Sequence, residues 1–352
     1  MENLNNIINK DDLILITGAN GFIGKRLVES ILKRGFRNIR CFVRPSGDLT
    51  RLESIKTDYP DRNIDILKGN LLSRDDCRAA ARDAVLVYHL AAGKEKTFPG
   101  SYMNSVVTTK NLLEEIAGQN CIKRFVNVSS FAVYANYKLK RRALLDESCP
   151  VDENSYLAHE AYIYGKQKQD EMVDYYHEAR GIPCVTVRPG VVFGPGKNQI
   201  TGRVGIDTFG IFLHLGGSNV LPITYVDNCA DAMALAGFPE GIDGEVINLL
   251  DDNLPTSRRF LRLYKKHVRR FRSIYIPYRL FYFLCYLWER YSVYSENQMP
   301  PAFNTRMCSI YWKGNKYTNE KAKSLLNWQP AVPMNESLMR FFEFCAQEDK
   351  KQ

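Results

Sequence analysis

The feature that most constrains this chain is a glycine-rich segment near the N-terminus that directly follows a short apolar run. Residues 13–16 (LILI) are apolar throughout, which is typical of a strand buried on both faces of a parallel sheet. Residues 17–24 (TGANGFIG) come next, and apolar residues then recur at helical spacing over residues 22–32. A strand, a glycine-rich turn and a helix in this order predict a phosphate site built from backbone N–H groups at the helix N-terminus.

Strand-like and helix-like segments alternate through the first half of the chain. Further strands are predicted at residues 39–43, 64–67, 84–90, 124–128 and 183–187, and helices at residues 106–117 and 162–178. This alternation predicts an α/β fold with a doubly wound parallel sheet of the Rossmann type. We predict a dinucleotide-binding domain over residues 1–195, to which later segments can return, and a smaller substrate-binding lobe over residues 196–352.

Composition excludes several classes of protein. The 352 residues are 45% hydrophobic and 25% charged, as in ordinary globular proteins. The nine cysteines are scattered, with no CxxC and no close Cys/His cluster, so we predict reduced thiols, no metal site and a cytoplasmic location. The net charge is +9, but no nucleic-acid-binding motif accompanies it, so no nucleic-acid partner is predicted.

A tyrosine and a lysine in the third predicted helix form a candidate catalytic pair. Tyr162 and Lys166 are four residues apart, so their side chains lie on the same helix face. A phenol has a pKa of about 10, and a neighbouring ammonium group is expected to lower it towards the working range. Tyr162 could then exchange a proton with a substrate hydroxyl or carbonyl, and Ser130, just after a predicted strand, could hydrogen-bond the reacting oxygen.

Several short blocks occur together with the glycine turn and this pair. They are HLAA at residues 89–92, VSS at 128–130, RPGVVFGP at 188–195 and LNWQP at 326–330. With the Gly-x2-Gly-x2-Gly spacing, the set resembles the extended short-chain dehydrogenase/reductase family, also called the NAD-dependent epimerase/dehydratase family. The resemblance extends over roughly residues 13–333 and implies an NAD(P)-dependent enzyme.

The resemblance also implies roles for individual residues. The catalytic residues would be Ser130, Tyr162 and Lys166, with Lys166 also bonding the nicotinamide ribose. The predicted cofactor-binding residues, which include Arg44 for the reason given next, are Gly18, Asn20, Gly21, Phe22, Ile23, Gly24, Arg44, Asn70, Leu71, Leu90, Ala91, Ala92, Tyr162, Lys166 and Pro189.

The end of the second predicted strand indicates which dinucleotide is preferred. An acid at this position would bond the adenosine ribose hydroxyls of NAD, but here Arg44 follows the strand and the first acid is Asp48. Because an arginine can bind a 2′-phosphate, we predict that NADP(H) is favoured over NAD(H).

Departures from the family pattern narrow the chemistry. Phe131 and Ala132 stand where sugar 4,6-dehydratases carry Asp-Glu, which disfavours water loss. Val191 replaces the asparagine of nucleotide-sugar enzymes and, with Arg44, resembles the 3β-hydroxysteroid dehydrogenase-like and dihydroflavonol-reductase-like branch. The leading interpretation is an oxidoreductase that interconverts an alcohol and a ketone in a small-molecule substrate. The alternatives are a nucleotide-sugar or sugar epimerase with a tightly held NAD(P), and a non-catalytic dinucleotide-binding protein.

Three arginines are candidate ligands for a phosphate group of the substrate. They are Arg203, Arg258 and Arg259, but we expect each to be a solvated surface residue.

A basic segment at residues 265–272 (KKHVRRFR) precedes an apolar one at residues 280–288 (LFYFLCYLW). Nine apolar residues are too few to span a bilayer, which takes about 20. We predict a helix packed on the substrate lobe, with Phe281, Tyr282 and Leu284 walling an apolar pocket and at most weak peripheral membrane association. The alternative that the sequence leaves open is an interfacial membrane anchor. The sequence is compatible with a homodimer.

Overall fold

The computed structural model describes residues 6–93, 95–158, 160–208, 210–296, 298–299 and 304–351. Its centre is a seven-stranded sheet in which all neighbouring strands are parallel. The strands are β1 (Leu13–Thr17), β2 (Asn38–Val43), β3 (Asn63–Lys68), β4 (Leu86–His89), β5 (Arg124–Val128), β7 (Cys184–Pro189) and β12 (Val246–Leu249). Their order is β3-β2-β1-β4-β5-β7-β12, so the predicted Rossmann-type sheet is confirmed.

The strand order reverses at β1, which lies between β2 and β4. Ile14 is the partner of Ile39 in β2 and of Leu86 in β4. Connections from β1 and β4 therefore leave in opposite directions, and this opens a crevice at the carboxyl ends of the strands, where ligands bind in such sheets.

Helices cover both faces of the sheet. The helices are α1 (Gly24–Lys33), α2 (Thr50–Asp58), α3 (Arg74–Ala81), α4 (Phe98–Ser101), α5 (Thr108–Ala117), α6 (Ala161–Arg180), α7 (Val226–Leu235), α8 (Ser257–His267), α9 (Tyr278–Tyr294), α10 (Thr305–Trp312), α11 (Glu320–Leu326) and α12 (Met334–Asp349). Ile14 and Ile16 pack in a cluster with residues of α1 and α7, whereas Leu15 packs with residues of α3, α5 and α6. Because side chains of a strand alternate between faces, the apolar run of β1 supplies both layers.

Smaller sheets build the rest of the molecule. Their strands are β6 (Leu144–Leu145), β8 (Val191–Phe193), β9 (Gly205–Thr208), β10 (Ile211–His214), β11 (Ile223–Tyr225), β13 (Ser273–Tyr275) and β14 (Lys316–Tyr317). They form the sheets β13-β10-β9, β11-β8 and β14-β6. Since β12 belongs to the main sheet, part of the chain beyond residue 195 returns to it; the boundary at residue 195 stays a prediction.

The helix predicted from residue 106 begins later in the structure. A π-helical stretch, Tyr102–Val107, comes before α5. The hydroxyls of Thr108 and Thr109 donate to the Ser105 carbonyl oxygen, and Thr108 also donates to that of Asn104. These side chains compete for backbone acceptors, which accounts for irregular winding here.

The packing predicted for residues 280–288 is wrong. They lie in α9, as expected, but only Phe281 of the three pocket-wall candidates is buried, in a cluster with Leu215 and Trp312. Tyr282 and Leu284 are 39% and 46% exposed, and none of the three lines the main cavity. The helix buries a single stripe, which leaves most of its circumference in contact with solvent. Among the helices described, none combines the length and the apolarity that crossing a membrane requires.

Candidate active site

The glycine turn forms one end of the site. Gly18 has a φ of +70°, a left-handed conformation that favours glycine, and its N–H donates to the Phe42 carbonyl oxygen at 3.0 Å. A Cβ on Gly24 would lie closer than van der Waals contact to the Gly18 carbonyl oxygen, so only glycine allows α1 to start here. No side chain caps the N-terminus of α1. The N–H groups of Lys25 and Arg26 already donate to the carbonyl oxygens of Gly21 and Ile23, and a phosphate site at this turn stays a prediction.

A cavity of about 650 Å³ runs from this turn along the carboxyl edge of the sheet. Every residue predicted to bind the cofactor or to act in catalysis lines it. These are Gly18, Asn20, Gly21, Phe22, Ile23, Gly24, Arg44, Asn70, Leu71, Leu90, Ala91, Ala92, Ser130, Tyr162, Lys166 and Pro189. The volume is typical of a pocket for a small ligand. The predicted phosphate turn and the predicted catalytic pair thus share one cavity, and the residues present fit a dinucleotide.

Beyond β2, a cation rather than an acid faces the cavity. Arg44 is exposed and lines it beside Ser46. The carboxylate of Asp48 instead accepts hydrogen bonds from the Thr50 N–H at 3.0 Å and the Thr50 hydroxyl at 2.7 Å. These bonds lower the pKa of Asp48, and they hold its carboxylate at the start of α2.

Asn70 stabilises its own turn. Its side-chain oxygen accepts from the Leu72 N–H at 3.0 Å, and its backbone N–H donates to Asp76 at 2.7 Å.

Tyr162 and Ser130 meet at the far end of the cavity. Tyr162 lies in the first turn of α6, Ser130 follows β5, and both side chains line the cavity. Burial raises the pKa of Tyr162, the neighbouring Ser130 hydroxyl opposes that shift, and the charge of Asp170 adds to it.

The ammonium group of Lys166 is buried beneath this pair. Its Nζ donates to the Val128 carbonyl oxygen at 2.6 Å and to Gln169 Oε1 at 2.9 Å. Burial lowers the pKa of Lys166 to about 8, and Asp170 opposes that shift. The predicted lowering of the Tyr162 pKa by this ammonium is therefore not met, because Lys166 is directed to other acceptors and burial of the phenol outweighs the effect of the Ser130 hydroxyl.

Sequence reasoning missed a buried carboxylate one helical turn past Lys166. Asp170 accepts from Asn127 at 2.9 Å, from Ser129 at 2.7 Å and from Arg188 at 3.1 Å. The guanidinium of Arg188 also lies over the Tyr134 ring, 4.7 Å from its centroid. The spacing of four from Lys166 was a signal, but only the fold brings the partners from β5 and β7 to it.

A chain of buried hydrogen bonds leads from β1 to Lys166. His89 Nδ1 and Nε2 lie 2.9 Å from the hydroxyls of Thr17 and Thr109, respectively. Gln169 Nε2 donates to the Thr109 hydroxyl at 2.9 Å, and Gln169 Oε1 accepts from Lys166. Burial lowers the pKa of His89 to about 3, so the imidazole is neutral. These hydrogen bonds orient the Lys166 ammonium. No such role was predicted for His89, Thr109 or Gln169.

The remaining wall contains apolar side chains and two cations. Phe131, Val191 and Tyr311 line the cavity together with Lys197 and Arg203. The predicted solvated position of Arg203 is wrong. It is only 9% exposed, because its Nη1 donates to the Ile310 carbonyl oxygen at 3.1 Å and its guanidinium lies over the Tyr311 ring.

Arg258 and Arg259 are exposed, as predicted, and do not line this cavity.

Comparison with known proteins identifies relatives. The model of the NAD dependent epimerase/dehydratase family matches residues 14–249. The chain is 28% identical to the uncharacterized UDP-glucose epimerase YtcB of Bacillus subtilis (strain 168), over 67% of this chain and 76% of that protein. It is 22% identical to sterol-4-alpha-carboxylate 3-dehydrogenase, decarboxylating, of Mus musculus, over 96% and 92% of the two chains. It is 27% identical to cinnamoyl-CoA reductase 1 of Oryza sativa subsp. japonica, over 55% and 57%.

Solved structures share the fold. UDP-glucuronic acid 4-epimerase from Bacillus cereus in complex with NAD superimposes with a TM-score of 0.70 at 20% identity, covering 96% of this chain and 98% of that one.

Proposed function

This chain belongs to the NAD-dependent epimerase/dehydratase family and is an NAD(P)-dependent enzyme of the extended short-chain dehydrogenase/reductase type, and we propose that it interconverts an alcohol and a ketone with net consumption of cofactor. The observation that carries the proposal is that Tyr162, the neighbouring Ser130 and the buried Lys166 line the same cavity as the glycine turn. The unpaired thiols of its nine cysteines support a reducing, cytoplasmic location.

Tyr162 acts as the acid/base in this proposal. When bound, the dinucleotide accepts or supplies the hydride. In the reducing direction the Tyr162 phenol, which its raised pKa keeps protonated, gives its proton to the substrate oxygen as the carbonyl is reduced. In the oxidising direction the reverse step requires the Tyr162 phenolate, which takes the proton of the substrate hydroxyl as the carbonyl forms. The Ser130 hydroxyl hydrogen-bonds the same oxygen and holds it against Tyr162. Lys166, held by Val128 and Gln169, orients the cofactor ribose next to them.

A screen of alcohols and ketones tests the proposal, with cofactor turnover as the readout. A substrate that consumes NADPH or NADH in proportion to product supports net oxidoreduction. Product formation without net change in the cofactor contradicts it and indicates an epimerase.

Arg44 is expected to select the dinucleotide. NADPH should bind more tightly than NADH, because the Arg44 guanidinium can pair with the 2′-phosphate while Asp48 is held by Thr50. Arg44→Ala should remove most of the preference, which for a charge-assisted bond is about ten- to a hundredfold. Titrating both dinucleotides against wild type and variant measures this.

Arg37 offers a matched control for that titration. It is an exposed arginine that directly precedes β2, whereas Arg44 directly follows it, and it is paired with Asp11. Arg37→Ala should leave the preference for NADPH intact. Equal affinities of the wild type for NADPH and NADH would refute the assignment to Arg44.

A nucleotide-sugar epimerase is the second candidate, favoured by the two cations in the substrate wall. Two relatives are named for a UDP-sugar and a CoA thioester. Both molecules carry phosphates, which Lys197 and Arg203 can pair with. The substrate class we propose is therefore a phosphate-bearing molecule for either reaction.

Arg203→Ala is expected to raise KM for such a substrate by about tenfold or more with little change in kcat, because it removes binding shared by ground and transition states. Arg203→Lys should recover part of the loss, and Arg259→Ala, outside the cavity, should have no effect. An unchanged KM in Arg203→Ala would exclude this contact.

A further inference from the structure

Helix α9 presents an apolar stripe to the outside of the molecule. The outer stripe consists of Leu280, Phe283, Leu284, Leu287, Tyr291 and Tyr294. Each of these side chains is between 46% and 85% exposed. At 3.6 residues per turn, the six lie within about 100° of the helix circumference. A soluble surface rarely exposes so continuous an apolar patch unless something binds it.

The opposite side of α9 attaches it to the protein. Phe281 and Cys285 are buried against Leu215, Cys308 and Trp312, and the Phe281 and Trp312 rings meet edge to face at 5.3 Å. The Tyr278 hydroxyl lies 3.2 Å from that of Ser309. The helix is therefore held with its outer stripe facing away from the core.

The chain's net charge is carried by the stretch of sequence that contains this helix. Residues 257–294 contain ten Lys or Arg and one acid, Glu289, which leaves a net charge of +9. The whole chain has 48 basic and 39 acidic residues, so the remainder has 38 of each and is neutral. Exposed members of this basic segment are Arg262, Lys266, Arg269, Arg270, Arg272, Arg279 and Arg290.

We propose that α9 and this basic segment bind the surface of an anionic phospholipid bilayer, with the helix lying in the plane of the interface. The outer stripe would enter the boundary between headgroups and acyl chains, where tyrosines are favoured, while the arginines contact lipid phosphates. A spanning mode is ruled out for α9 by its length and charges. A second copy docking through this face would oppose two segments of charge +9, which disfavours self-association.

Co-sedimentation of the full chain with vesicles tests this proposal. Binding should be strong to vesicles containing phosphatidylserine and at least about tenfold weaker to pure phosphatidylcholine. It should also weaken as salt rises from about 0.1 M to about 0.5 M, since the charges are then screened. Equal binding to both vesicles, or none to either, would overturn the proposal.

Variants separate the apolar and charged contributions. Phe283→Glu with Leu287→Glu should abolish vesicle binding, and Arg270→Glu with Arg272→Glu should weaken it by about tenfold or more. Leu144→Glu is the matched control, since Leu144 is 47% exposed on β6, against 46% for Leu287. Dinucleotide binding by each variant reports that it is folded.

Sedimentation in the ultracentrifuge distinguishes the competing occupant. If the outer stripe instead joins two copies of the chain, the wild type is a dimer that does not bind anionic vesicles, and Phe283→Glu with Leu287→Glu is a monomer. That combined result would show that a second chain, and not a lipid surface, covers the stripe.

Discussion

Tyr162→Phe is expected to lower turnover by at least about a hundredfold while dinucleotide affinity stays nearly unchanged. The substitution removes only the oxygen that exchanges a proton with the substrate, and general acid–base groups contribute about 10²–10⁴-fold. The ring remains in the cavity wall, so the cofactor site keeps its shape. Steady-state kinetics and a dinucleotide titration measure the two effects separately.

Tyr164→Phe is the matched control for this variant. Tyr164 lies two residues further along α6, where its ring meets Phe98 edge-on at 5.3 Å, and its hydroxyl has no proposed role. Full activity is expected. If Tyr162→Phe retains more than about a hundredth of the activity, the acid/base role belongs to another group.

Lys166→Met is expected to lose both turnover and dinucleotide affinity. Lys166 is proposed to orient the cofactor ribose, and methionine has no donor to do so. We expect about a hundredfold or more in turnover and about tenfold or more in affinity. Lys168→Met, which removes a half-buried lysine of the same helix paired with Glu171 at 2.7 Å, should be close to wild type.

The same variant should change how stability depends on pH. Burial holds the pKa of Lys166 at about 8 in the folded chain, below the ordinary 10.5. Between these values the unfolded chain binds more protons, so the free energy of unfolding of the wild type rises with pH relative to Lys166→Met. The difference can reach about 3 kcal/mol. Urea unfolding of both proteins at pH 8 and at pH 10.5 measures this difference. If the free energy of unfolding changed equally in wild type and variant, the pKa of Lys166 would not be lowered in the folded chain.

Much of the candidate site could be predicted because its residues follow strands. Gly18, Ala91 and Ser130 come one or two residues after β1, β4 and β5, and the carboxyl ends of adjacent parallel strands lie at one edge. Local apolar runs and turn residues were enough to place them. Tyr162 and Lys166 needed only the helical spacing of four to share a face.

Polar groups under the site could not be predicted, because each depends on partners distant in sequence. Gln169 reaches Lys166 locally, but its role depends on Thr109, whose hydroxyl also faces His89. Arg203 was expected in solvent because nothing in its neighbourhood indicates that Ile310 and Tyr311 will cover it.

The sequence by itself determined six of the seven strands of the main sheet, the helices α1, α5 and α6, and the positions of the glycine turn and of the candidate catalytic residues. These follow from periodicity and turn chemistry within a few residues. Only the tertiary structure decided the protonation of Tyr162 and Lys166, because desolvation is set by everything packed around them. It also decided which side of α9 is covered: the apolar and basic residues were visible in the sequence, but burial of Phe281 against Trp312 turns the outer stripe away from the core.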